Sequence, residues 1–167
     1  MKGRLNATQI FLVYALPALS DCMKNDEERE VVRRKLEHAL QQGTEIPDKD
    51  LTDYFPKAIE RRNNYAKMMN PEILNDRRAM NILYWREGGH NSYVDKLDKS
   101  CSVQVGLIVK EIKIKNERRY AFCISENGFE PFLIPDYHRD LEVDDVVSVH
   151  KRCIAEIFDG KNTRPGQ

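Results

Sequence analysis

The chain has 167 residues and carries 27 Lys+Arg against 27 Asp+Glu, so its formal net charge is zero. That length suits one domain of ordinary size or two small ones. The balance argues against a chain built to coat nucleic acid or an anionic membrane, and no stretch approaches the ~18–20 apolar residues of a membrane span.

The longest apolar run, from Ile10 to Leu19, is broken by Pro17 and followed at once by Asp21, Lys24 and Asp26. It reads as a folded helix rather than a secretion leader, which makes the cytoplasm the expected compartment. Asn6 or Thr8 can start this first helix, and Pro17 bends or ends it. Asn25 can cap a second helix, with Glu28 at capping-box spacing and Val32, Leu36, Ala39 and Leu40 as its apolar stripe. Gly43 supplies a left-handed stop. Asp48 is expected to cap a third helix, which Pro56 either kinks or splits in two. Asn70-Pro71 marks a fourth helix, ending at Gly88-Gly89. Each helix is expected to bury one face only, in a small bundle spanning residues 1–87.

Residues 88–100 form a polar connector. From Cys101 the apolar period changes to two, through Val103, Val105, Leu107 and Val109, and then slips by one residue to Ile112 and Ile114. A slip of that kind requires a bulge near Lys110-Glu111. Tyr120 to Ile124 is a second strand, Asn127-Gly128 a hairpin turn, and Phe129 to Ile134 a third strand. Val146 to His150 and Ile154 to Phe158 complete a set of short strands that suits a small closed or half-open barrel over 101–158. The tail, 159–167, is expected to be flexible. The fold class is therefore α+β: an N-terminal helical bundle followed by a small OB-like β-barrel.

Six thiol and imidazole groups fall in the second half of the chain: His90, Cys101, Cys123, His138, His150 and Cys153. Only His150 and Cys153 stand at a ligand-like spacing, so a zinc motif is not expected. Cys123 and Cys153 read as small buried hydrophobes. Cys101, between connector and strand, is the thiol expected to be reachable. Lys113, Lys115, Arg118, Arg119, Tyr120 and Phe122 place cations beside aromatics on one hairpin. That combination on a small barrel is a candidate face for single-stranded nucleic acid. No acid–base or nucleophile constellation points to an enzyme.

Two segments carry a family resemblance. Cys101-Ser-Val-Gln-Val-Gly106, followed by Ile108-Val109-Lys110-Glu111-Ile112, is similar to the opening of the HypC/HupF-type hydrogenase-maturation chaperones. The stretch Leu141-Glu-Val-Asp-Asp-Val-Val-Ser-Val-His150, with Ile154-Ala-Glu-Ile157, resembles their closing strands. Here the family's Gly-Asp turn is Asp144-Asp145, its Pro before the Gly is Val105, and charged residues, Lys151-Arg152, stand where it has a Gly after the His. The resemblance implies an OB-like barrel and a non-catalytic accessory protein that binds a metalloenzyme precursor, such as that of a nickel–iron hydrogenase. It carries partner contacts onto Cys101, Gly106, Asp145 and His150, with Cys101 and His150 as a transient iron contact and no resident cofactor. A single-stranded nucleic-acid-binding barrel is the alternative.

Overall fold

Asn6 opens the first helix with a reciprocal cap. Its Oδ1 accepts from the Gln9 N–H at 2.8 Å, and the Gln9 side chain accepts from the Asn6 N–H at 3.0 Å. The computed structural model describes residues 2–69, 72, 75–94 and 99–158. They divide into a helical unit, Leu5–Ser102, and a barrel unit of Met1–Arg4 with Val103–Gln167.

In the helical unit, α1 spans Ala7–Ala15, and every residue from Ile10 to Ala15 is buried. This corrects the expectation of one-faced helices: a helix apolar all round belongs inside. Leu16–Ala18 is a 3₁₀ turn carrying Pro17, followed by the short α2, Leu19–Cys22. The helix α3, Asp26–Gln42, is capped by Asn25, which accepts from the Glu28 N–H, and stops at Gly43 with φ 66°. Pro56 splits the next segment into α4, Asp48–Tyr54, and α5, Pro56–Met69. Asp48 is not the cap expected of it. It is the first helical residue, after Pro47, and its carboxylate pairs with Arg77 at 3.1 Å. The Asn70-Pro71 start lies outside the described residues. Asp76 caps α6, Arg77–Trp85, by accepting from the Ala79 N–H at 2.9 Å.

Around α1 the aromatics interlock: Phe11 lies edge-on to Phe55 and Trp85, and Tyr14 stacks on Trp85 with centroids 5.5 Å apart. Arg62, 2% exposed, is held within this layer by Asn81 Oδ1 at 3.3 Å and by the face of Phe11 at 5.2 Å. Burial lowers its guanidinium pKa to about 10.

The barrel unit has five strands: β1 Gln104–Lys115, β2 Arg118–Ser125, β3 Gly128–Leu133, β4 Val146–His150 and β5 Cys153–Phe158. They close in the order β1-β2-β3-β5-β4, with β1 pairing both β2 and β4. This mixed helix-and-sheet architecture with a closed barrel agrees with the expected α+β class, and the order is consistent with an OB-like barrel.

A strand as long as β1 serves both neighbours only if it bends. It does so twice. One register shift lies between Val109 and Glu111, where the apolar phase slips, and a second between Val105 and Leu107 at Gly106, φ 85°. The second bulge turns Val105 outward, to 45% exposure, and Ile114 is 74% exposed on the β1–β2 arm, so neither belongs to the core. Leu107, Val109, Cys123, Phe132, Val147 and Ile154 are among the residues that fill the barrel.

Asn116-Glu117 and Lys151-Arg152 link their hairpins with both residues at positive φ, as two-residue turns of matching twist require. At Asn127-Gly128 only Gly128 takes positive φ, 106°. Lys2 bridges to Ile157 and donates its N–H to Asp140 at 2.8 Å, which ties the start of the chain to the barrel.

Candidate functional site: the connector pair and the outer barrel face

Residues 88–94, at the start of the connector, form a tight turn. Gly88 takes φ 101°, and the Ser92 hydroxyl donates to the Gly89 carbonyl at 2.6 Å. The turn places His90, 7% exposed, against the last aromatics of α6: its ring lies 4.7 Å from Trp85 and edge-on to Tyr84 at 5.9 Å. His90 Nδ1 is 3.2 Å from Asn91 Oδ1. A carboxamide oxygen only accepts, so Nδ1 carries the proton in the neutral ring and Nε2 the lone pair.

Cys101, half-buried, ends a 3₁₀ turn at Lys99–Cys101, and a ring nitrogen of His90 lies within 4.8 Å of its sulfur. Tyr84 is fully buried, and its hydroxyl has no hydrogen-bond partner among the described residues. Burial raises the Tyr84 pKa. Arg61 lowers it and Cys101 raises it again, so both lie within electrostatic reach of that hydroxyl.

The residues implied by the resemblance fall at different places. Gly106 is the β1 bulge, and a Cβ there would meet nothing within 4 Å, so only the backbone demands glycine. Asp144 takes φ 70°, a conformation that the family's glycine would adopt freely and that Asp tolerates. The Asp145 carboxylate accepts from the Glu142 N–H at 2.8 Å and pairs with Lys2 at 3.1 Å. Its carbonyl accepts from Val109 at 3.0 Å, so Asp145 organises the turn before β4. His150 ends β4 with 1% exposure. Cys101 belongs to the helical unit rather than to the barrel.

On the barrel, the outer side of β1–β3 carries an apolar row. Ile108 pairs across to Ile124, and Ile124 to Phe129. These three are 40%, 56% and 54% exposed, and the Phe122 ring stands 5.4 Å from Phe129. Lys113 Nζ lies 5.0 Å over Phe122 and pairs with Glu111 at 3.0 Å. Tyr120 faces Lys113 in the register, and Arg118 faces Lys115. Arg119 points elsewhere: it donates to the carbonyls of Arg139 and Leu141 at 3.3 and 3.4 Å. Cys123 is buried as expected, whereas Cys153, at the start of β5, is half-buried; burial pushes both thiols up to about 11.

His90 was not distinguishable from the other histidines in the sequence. It stands eleven residues before Cys101, and only the turn brings the two together. No family model matches the chain, and no match is found among curated proteins or solved structures. Among the described residues, no helix is long and apolar enough to cross a membrane.

Proposed function

We propose that this is a non-catalytic accessory protein whose barrel binds another protein. The observation that carries the reading is the uncovered cross-strand row Ile108–Ile124–Phe129. A contiguous apolar patch on an otherwise polar surface marks a docking face, and aromatic residues at its centre supply most of the binding energy.

The most specific form of the reading is a maturation factor for a metalloenzyme, a nickel–iron hydrogenase precursor being the partner. It is supported by the Cys101-to-Gly106 and Asp145-to-His150 patterns. In this form the Cys101 thiol makes the transient iron contact. The test is retention of a purified hydrogenase large-subunit precursor on the immobilised full chain. Retention that falls on Phe129→Glu supports the reading, and no retention by the unmodified chain overturns it.

A second reading, a barrel that binds single-stranded nucleic acid, is favoured by Lys113 over the Phe122 ring beside Phe129. Stacking of bases on these rings would be supplemented by Lys115 and Arg118. Binding of an oligothymidine that weakens steeply with salt supports this second reading, and no binding at low salt removes it.

A further inference from the structure

We propose that His90 and Cys101 form a two-ligand, open site for a borderline divalent transition metal of the Fe²⁺, Co²⁺ or Zn²⁺ class, built within the helical unit. The inference deepens the accessory reading: it names a ligand, His90, that the resemblance does not contain. It rests on that reading only for the source of the ligands that complete the metal's shell.

Three observations carry it. First, the donor atoms are within 4.8 Å of each other. A thiolate and an imidazole sharing one tetrahedral metal stand about 3.5 Å apart, from bond lengths near 2.3 and 2.0 Å. A small side-chain rotation closes that difference. Second, His90 is prepared as ligands usually are. Its ring is buried against Trp85 and Tyr84, and Nδ1 is fixed by Asn91 Oδ1, which directs the lone pair to Nε2. Third, the Tyr84 ring stands 5.9 Å from that of His90, and its buried hydroxyl has no hydrogen-bond partner among the described residues, so a metal-bound water there would find a donor.

Binding converts the Cys101 thiol to a metal thiolate and releases one proton, with no change of oxidation state. Thiolate and imidazole together select borderline metals over Mg²⁺ or Ca²⁺. Two protein ligands leave tetrahedral positions open, which is what transfer to a partner's own ligands requires.

The probe is Co²⁺ added to the reduced full chain, read by the thiolate-to-cobalt charge-transfer absorption. The expected result is a saturable charge-transfer band that is absent in Cys101→Ser and unchanged in Cys22→Ser. His90→Ala should weaken binding ~10-fold or more, and Asn91→Ala, which removes the partner of the ring's Nδ1, should weaken it by a similar factor. Circular dichroism on each variant identifies misfolding, and Asn91→Ala keeps the test decisive if His90→Ala unfolds. A band that survives in Cys101→Ser, or an affinity indifferent to both His90→Ala and Asn91→Ala, overturns the site. Precursor retention measured without metal keeps the two claims apart. Cobalt binding without retention overturns the accessory reading alone, and retention without cobalt binding overturns this site alone.

Discussion

Gly89 lies against the ring of Tyr65: a Cβ on Gly89 would stand 2.8 Å from Tyr65 Cε1. Gly89 does not need positive φ, since its backbone is right-handed helical at φ −56°. The requirement is therefore for space. Gly89→Ala must displace either the Tyr65 ring or the turn that presents His90. The expected cost is about 1–3 kcal/mol of stability, as in other overpacked sites. Cobalt affinity should fall with it, because the turn holds the imidazole. Urea unfolding and the cobalt titration check the two effects on one sample.

Asn81 joins two buried groups. Its amide donates to the Ala7 carbonyl at 2.8 Å, and its oxygen accepts from Arg62 at 3.3 Å. Asn81→Ala leaves a buried guanidinium without that acceptor, and a loss of about 2–4 kcal/mol is expected. The double variant Arg62→Met/Asn81→Ala should recover part of it, since no buried charge then lacks its acceptor. Thermal unfolding of the two variants measures the difference.

Gly106 presents the opposite case to Gly89. There is room for a side chain, but φ is 85°. Gly106→Ala should therefore cost only the backbone term, about 1–2 kcal/mol. Urea unfolding checks it, and a neutral result would mean that the bulge relaxes.

His138 makes the barrel sensitive to acid. The ring is fully buried, and its Nε2–H donates to the Ala155 carbonyl at 2.9 Å. Burial lowers its pKa from 6.5 to about 4, and the carbonyl offsets this only in part. The unfolded chain thus binds a proton more readily than the folded one. The contribution to stability is complete above pH ~6.5 and is lost as pH falls toward ~4, amounting to about 3 kcal/mol. Urea unfolding from pH 7.5 to 4.5 should show this loss in the unmodified chain and a smaller one in His138→Gln.

The strands were legible because burial on one face imposes a period of two. Leu107 and Val109 keep that period in β1, and the slip from Val109 to Ile112 marks the first bulge, whereas Val146–His150, buried on both faces from Val147 on, stood out as a valine-rich run. The second bulge was hidden. Val105 continues the apolar alternation in the sequence, and only the backbone at Gly106 reverses it. The all-round burial of α1 escaped for a related reason: a short helix next to Pro17 offers too few residues to separate a stripe from a full apolar surface. At the connector, Cys101 stood out by its position. His90 did not, since its approach to Cys101 depends on a glycine turn and on ring packing against Trp85.

The most direct measurement is retention of a nickel–iron hydrogenase large-subunit precursor by the immobilised full chain, compared with its Phe129→Glu and Cys101→Ala variants. Retention by the unmodified chain is expected to fall by ~10-fold or more with Phe129→Glu, which replaces an exposed apolar anchor with a charge, and to fall also with Cys101→Ala. A chain that retains no precursor, or variants that retain it as well as the unmodified chain, would contradict an accessory protein that docks through its barrel face and its connector thiol.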